Sequence, residues 1–310
     1  LGDHILVIGS SNMDVFIKTA KVPAAGESSF GSAMSFLPGG KGSNQATALA
    51  RLGADVRFSA KIGKDSFGDG IYHTLLNEKL DPAALFIDEQ TATGVAFIIV
   101  EESGENRIIV LPGANMAYQE AEVDQVRPLI ESARIVLLQL EIPIPSVKKI
   151  IAIARRHKVP VVVDAGPAQS LPLDLFQGVT ILSPNETEAR ALTGVAIADL
   201  DSAKRAGKIL LASGAQIVVL KLGDQGALVG DATGFRHHRA YAIEAVDTTA
   251  AGDAFSAALT FYYSRGYSID ESVKFANAVG ALTATRAGSL RSLPSREEVA
   301  SFVSARGGIS

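Results

Sequence analysis

The stretch Asp247-Thr248-Thr249-Ala250-Ala251-Gly252-Asp253 places carboxylates and hydroxyls among very small residues, between an apolar segment at 241–246 and a run at 254–263. That second run is apolar enough for a mostly buried helix, so the sequence predicts a strand handing over to a helix through a loop without bulk. At a helix start the first backbone N–H groups have no partner inside the helix and the dipole is positive, which favours an anion. Ala250, Ala251 and Gly252 let a ligand approach that backbone closely. Asp253 falls in or just before the first turn and shares the same space. Beside a phosphoryl group, its carboxylate could take a proton from an attacking hydroxyl. Simple capping of the helix by Asp247, Thr248 or Asp253 is the alternative.

Other polar residues fall where a sheet would gather them. The run 4–10 is short and apolar and ends at Gly9-Ser10, which suits a buried parallel strand; Asn12 and Asp14 follow at once. Ligands of open α/β sheets bind beyond the carboxyl ends of strands, so these two side chains are candidates for gripping a hydroxylated substrate, or for an Asx turn. Helix-like segments at 120–131, 144–157 and 203–211 alternate with apolar runs at 135–138, 159–163, 179–182 and 217–220. That alternation predicts a parallel sheet with crossovers. Glu141, Asp164, Asn185 and Glu188 lie at its strand ends. Asn185 and Glu188, three apart at a helix start, suit either the water shell of a magnesium ion or a capping pair.

Pro38-Gly39-Gly40-Lys41-Gly42-Ser43-Asn44-Gln45-Ala46 leads into a helical run at 47–52 that stops at Gly53. A Walker A reading fails, because Ser35 stands at the first glycine position and Gly42 follows the lysine where Ser or Thr is required. The glycines still permit close backbone contact with a ligand, and Asn44 offers sugar hydroxyls both a donor and an acceptor. Lys221-Leu222-Gly223-Asp224-Gln225-Gly226-Ala227 reads as strand, tight turn, strand, with glycines that could pass close to a nucleotide. Strand-like runs at 94–100 and 107–111 form a hairpin that, with residues 15–37, could make a small separate sheet over the site or against another subunit.

Composition narrows the class. Hydrophobic residues make up 47% of the 310 and the net charge is −4 with no basic block, so nucleic acid is not expected as a partner. No apolar run approaches a membrane span, and cysteine is absent, which accords with a reducing cytoplasm. The histidines show no metal-ligand spacing. One α/β domain over 1–310 is expected, since no linker or repeat divides the chain.

Taken together these stretches resemble the ribokinase family of sugar kinases over essentially the whole chain. The resemblance rests on 39–46 with Gly53 and Gly63, on Asn185-Glu186-Thr187-Glu188, and on 247–253. It implies a three-layer α/β/α fold with a mainly parallel central sheet, and a small β-sheet lid from about 12–40 and 91–113 through which two subunits form a homodimer. It implies that Asp253 is the base and that the backbone of Ala250, Ala251, Gly252 and Asp253 is the anion hole. Asn12, Asp14, Gly40, Lys41, Gly42, Asn44 and Glu141 match sugar-binding positions. Asn185, Lys221, Leu222, Gly223, Asp224, Gln225, Gly226, Gly252 and Asn277 match ATP-binding positions. Glu188 matches the position that organises Mg2+ through water, and Asp247, Thr249, Thr283, Arg286, Gly288 and Ser292 match a K+ site. Asn12 and Asp14 with Glu141 look most like a ribose kinase acting on the primary 5-hydroxyl of D-ribose. Asp164-Ala165-Gly166-Pro167-Ala168 stands where such kinases often carry Asn-Pro-Ala-Pro-Ala, which leaves deoxyribose, fructose or a related ketose as alternatives. A dinucleotide-binding dehydrogenase would need more glycines than the lone Gly9 after the first strand. A non-catalytic sugar sensor would not need the intact base and anion loop.

Overall fold

The computed structural model describes residues 2–103 and 105–306. Thirteen strands appear among them: β1 (Ile5–Ile8), β2 (Asn12–Thr19), β3 (Gly31–Gly39), β4 (Val56–Gly63), β5 (Leu85–Asp88), β6 (Gly94–Glu101), β7 (Asn106–Leu111), β8 (Ile135–Leu138), β9 (Val161–Asp164), β10 (Ile181–Ser183), β11 (Ile217–Lys221), β12 (Ala227–Asp231) and β13 (Gly234–His238). Nine form one sheet in the order β13-β12-β11-β10-β9-β8-β1-β4-β5. It is parallel except for β12 and β13, which add antiparallel to one edge.

β1 shows why the sheet must be covered on both faces. All four of its residues are buried, and it pairs on one side with β4 and on the other with β8. Successive side chains point to opposite faces. Ile5 and Val7 therefore join a core that includes Leu49, Phe255, Leu259 and Val279, while Leu6 and Ile8 join another that includes Ile130, Val147, Ile150 and Ala154. The helices Lys41–Arg51, Ala251–Ser264 and Ile269–Ala284 supply the first layer and Ile144–Arg156 the second. The expected three-layer arrangement follows.

The other four strands form a small sheet, β3-β2-β6-β7. β6 runs parallel to β2, while β3 and β7 pair antiparallel at the two edges. The expected lid is thus a separate sheet, although its Gly104 lies outside the described residues.

Four expectations need correction. Residues 241–246 are not a strand: β13 already holds the edge of the sheet, and Tyr241 packs on Phe302 with ring centroids 5.5 Å apart. The anion loop is tied instead to a helix end, since Val246 and Asp247 N–H groups both donate to Ala284 O. The helix expected over 120–131 is two helices, Glu120–Gln125 and Arg127–Ser132, because Pro128 has no N–H to continue the ladder. Asn12 and Asp14 lie within β2 rather than in a loop.

Finally, the first long helix begins at Lys41, well before the expected run at 47–52. Glycine is a poor helix former, but Gly42 has a packing reason to be there. A Cβ on it would sit 2.6 Å from Ser10 O and 2.8 Å from Gly9 C, so only glycine lets this helix rest on the end of β1. Gly42→Ala should therefore lower stability by about 1–3 kcal/mol despite alanine's better helix propensity. Urea unfolding is the check, and a variant as stable as the parent would contradict this packing.

Candidate active site

The helix Ala251–Ser264 starts at an unusual cap. Ala250 has φ 60°, a left-handed conformation that a side chain disfavours, and no side chain caps the helix. Ala251 N–H donates to Thr248 O at 3.1 Å. The N–H groups of Ala250, Gly252 and Asp253 have no hydrogen-bond partner among the described residues. Capping therefore does not account for Asp253. Asp247 instead accepts from Thr249 N–H and Gly288 N–H, each at 2.9 Å, so its carboxylate shapes the loop.

Asp253 points inward and is 6% exposed. Its Oδ2 accepts from Asn44 Nδ2 at 2.8 Å, its Oδ1 from Gln45 Nε2 at 3.3 Å, and Lys41 Nζ lies 3.6 Å from Oδ1. Three side chains from the first turns of one helix thus meet one carboxylate. Lys41, Asn44 and Gln45 can do so together because residues three and four apart share a helix face. Asn44 Oδ1 is buried and accepts no hydrogen bond, which leaves an acceptor available beside Asp253.

Around this point the chain buries further carboxylates. Asp14 is tucked against Gly39, where a Cβ would come within 2.2 Å of its Oδ2. Burial pushes Asp14 up to about 7, with Glu141 and Asp253 adding to the effect and the Ser289 hydroxyl opposing it. Burial also raises Glu141, against the pull of Lys41 and of a short hydrogen bond from Ser10 Oγ. Asp164 is fully buried, yet Lys221 and Lys41 hold it below the usual carboxylate range. Lys221 Nζ is 2.9 Å from Asp164 Oδ1. Burial works against the charge on Lys41, but Asp253, Asp164, Glu141 and Glu188 more than offset it and keep it raised.

Asn12 Oδ1 accepts from Asn115 Nδ2 at 2.7 Å, and Asn115 Oδ1 accepts from Ser11 N–H at 2.8 Å. Asn115 therefore sets Asn12 in place. Neither it nor Gln45, Ser10 or Gln139 was singled out from sequence. Gln45 had a local signal, its helical spacing from Lys41. Asn115 had none, nor had Gln139, whose Nε2 donates to Gln45 Oε1, since their partners lie far away along the chain.

The positions expected to bind nucleotide and metal take part in local contacts. Gly223–Gln225 is a tight turn closed by Leu222 N–H to Gly226 O at 2.8 Å. Leu222 itself is 3% exposed and packs in a small core with Leu220 and Leu228, so its side chain serves the fold. Asn277 donates to His238 O and Arg239 O, at 3.3 and 3.1 Å. Asn185 and Glu188 form the reciprocal capping pair: Asn185 Oδ1 accepts Glu188 N–H and Glu188 Oε2 accepts Asn185 N–H. Glu188 Oε1 has no hydrogen bond to another described residue, and burial raises the acid's pKa above its ordinary value.

Asp247, Thr249 and Gly288 are joined directly, whereas Thr283 Oγ1 donates to Val279 O, Arg286 Nη2 to Glu298 and Ser292 Oγ to Ser289 O. Those three side chains face other partners. Of these positions, the Asp247 carboxylate is a side-chain oxygen group that a cation there could meet. Among the described residues no three His, Cys, Asp or Glu side chains cluster to bind a metal directly.

Comparison with known proteins gives the family to which this chain is similar. Residues 3–296 match the pfkB family carbohydrate kinase profile. A ribokinase of Haemophilus influenzae is 37% identical over 299 residues, 96% of this chain and 98% of its own. A deoxyribokinase of Salmonella typhi is 30% identical, over 97% of this chain and 98% of its own. The structure of Arabidopsis thaliana ribokinase complexed with ribose and ATP superposes with a TM-score of 0.92 at 30% identity, covering 97% of this chain and 99% of that one.

The Asp14 environment has a consequence for stability. The native carboxyl keeps its proton up to about pH 7, whereas an unfolded one loses it near 3.8. Asp14 thus opposes folding increasingly as pH rises through that window. Asp14→Asn should be more stable than the parent, by a margin that grows by on the order of 2 kcal/mol from pH 5 to pH 8. A margin that stays constant in urea titrations at the two pH values would contradict the burial argument.

Proposed function

The chain belongs to the pfkB family of carbohydrate kinases, and from that premise we propose that it moves the γ-phosphoryl group of ATP to the primary 5-hydroxyl of D-ribose. The observation that carries this reading is the meeting of Asp253 with the unpartnered N–H groups of Gly252 and Asp253 at one helix tip. A base and an anion site adjoin there.

In this reading Asp253 takes the proton of the sugar hydroxyl as its oxygen bonds to the γ-phosphorus and the bond to the β,γ-bridging oxygen breaks, releasing ADP. The free amides accept the charge on the phosphoryl oxygens without reorganising, which is where most of the rate enhancement of phosphoryl transfer arises. Asn44 and Gln45 hold the carboxylate so that one lone pair remains aimed at the hydroxyl. Asn12, Asp14 and Glu141 grip the remaining hydroxyls, and burial, by raising the pKa of Asp14 and Glu141, makes each a strong acceptor once ionised. Gly40, Lys41 and Gly42 close the sugar side. Lys221 to Gly226, with Asn185 and Asn277, line the nucleotide side.

Magnesium would be held through water by Glu188 Oε1, with Asn185 beside it, and when bound it neutralises phosphate charge. Potassium would sit against the Asp247 loop and stiffen it. The lid's edge strands leave Met34, Phe36, Ile108, Ile109, Val110 and Leu111 exposed, an apolar surface that supports a homodimer through the lid. Sedimentation as a monomer would remove that part of the reading. Among the described residues no helix is long and apolar enough to cross a membrane. We place the reaction in the cytoplasm, in keeping with a sequence that carries no cysteine.

ADP release across ribose, deoxyribose and fructose, in potassium and in sodium, tests the assignment. Ribose should give the highest kcat/KM and potassium the faster turnover; equal rates for the three sugars would overturn the ribose assignment. Asp253→Ala should lower kcat by about 10²–10⁴-fold with the fold retained. Undiminished turnover would remove its role as base.

A further inference from the structure

Asp164 is the most connected carboxylate of the site. It ends β9 and is 0% exposed. Its Oδ1 is 2.9 Å from Lys221 Nζ, while its Oδ2 accepts from Gln45 Nε2 and Ser256 Oγ, both at 2.9 Å. The same Gln45 Nε2 reaches Asp253 Oδ1 at 3.3 Å. One carboxylate therefore ties together the last residue of β11, the Lys41–Arg51 helix and the helix that carries Asp253.

Lys221 is placed for more than this bond. An ammonium has three N–H donors, and the hydrogen bond that Lys221 makes to a described residue is the one to Asp164. Its side chain is 12% exposed. A Cβ on Gly252 would lie 4.0 Å from its Nζ, so the ammonium borders the loop whose amides at 252 and 253 are bare. Spare cationic donors and spare backbone donors converge on one volume. A pair serving only the core would be expected to satisfy its donors inside, and well-packed apolar residues would often do as well there.

We propose that Lys221 is a catalytic residue that donates to an oxygen of the transferring γ-phosphoryl group, and that Asp164 is the positioning residue that aims it and, through Gln45, orients Asp253. This assignment rests on the kinase reading above and adds which phosphate Lys221 serves. As the β,γ bond lengthens, the ammonium stays against the phosphoryl oxygens; no proton leaves it and no covalent bond forms to it. Asp164 keeps the ammonium from relaxing toward Glu188, whose charge also acts on this network.

Three variants test it: Lys221→Met, Asp164→Asn and the two combined. Lys221→Met should lower kcat by about 10²–10³-fold, as loss of one donor to a developing charge does, with the KM for ribose almost unchanged. By calorimetry it should weaken β,γ-methylene-ATP much more than ADP. Asp164→Asn should also lower kcat, and Lys221→Arg should recover part of the loss. Either single change can destabilise the fold by leaving a buried charge alone, so the double variant is the control. It should regain the parent's Tm but not its kcat. A double or Lys221→Met variant that folds and keeps the parent's kcat, or one that loses ADP and the ATP analogue equally, overturns the proposal. Parent enzyme that forms no sugar phosphate by phosphorus NMR would instead overturn the kinase reading itself.

Discussion

Two lysine ammonium groups make it possible to bury the acids of this site. Lys41 and Lys221 lie among Asp253, Asp164, Glu141 and Glu188, with Asp14 close by. Like charges a few ångströms apart inside a protein repel by several kcal/mol, about 4 at 4 Å for an effective dielectric near 20. The lysines are too few to neutralise every acid. Asp164, paired directly, is held below its ordinary range, while burial first, and neighbouring acids second, push Asp14, Glu141 and Glu188 above theirs. Such a cluster is costly for the fold and welcoming to hydroxyl donors and to cations. Stability given up here is consistent with a site built for a polyhydroxyl substrate.

The fold provides the framework that this charge cluster requires. Glu141 and Asn185 follow β8 and β10, while Asp164 ends β9 and Lys221 ends β11, all at the same edge of the sheet. Asp253 is carried by a helix packed in the core with Leu49 and Phe58. Asn12 and Asp14 stand at the root of the lid, where β2 pairs with Gly39 on one side and Gly94 and Ala96 on the other. Asn12 and Asp14, proposed to grip the sugar, are thus attached to the small sheet, while Asp253, the proposed base, is carried by a helix packed against the large one. Any movement of the lid relative to the core would change the distance between them.

Much of this was legible in the sequence, for physical reasons that differ by element. Runs such as Ile135-Val136-Leu137-Leu138 announce buried parallel strands because both faces of the sheet are covered, and the polar residue after each run marks the ligand edge. The small residues at 250–252 announced the bare helix tip. What failed was where local pattern and packing disagree. Residues 241–246 are apolar enough for a strand, but Tyr241 and Ile243 pack on the core, Tyr241 against Phe302, while Val246 is exposed. Gly42 argues against a helix until Ser10 is seen beneath it. Pro128 should have split its helix on steric grounds alone. The hydrogen-bond roles of Gln45, Asn115 and Gln139 depend on which distant residue folds against them, and no local spacing encodes that for the last two.

The account stands on one geometric assertion, that a sugar hydroxyl and a phosphoryl group meet between Asp253 and the amides beside it. The most direct measurement is a crystal structure with ribose, ADP and aluminium fluoride, whose planar or octahedral fluoride group stands in for the phosphoryl group in flight. The expected result has the primary hydroxyl within hydrogen-bond distance of an Asp253 carboxylate oxygen, and the fluoride group on the N–H groups of Gly252 and Asp253. A complex in which the hydroxyl faces another residue, or the fluoride group binds away from that helix tip, would contradict it.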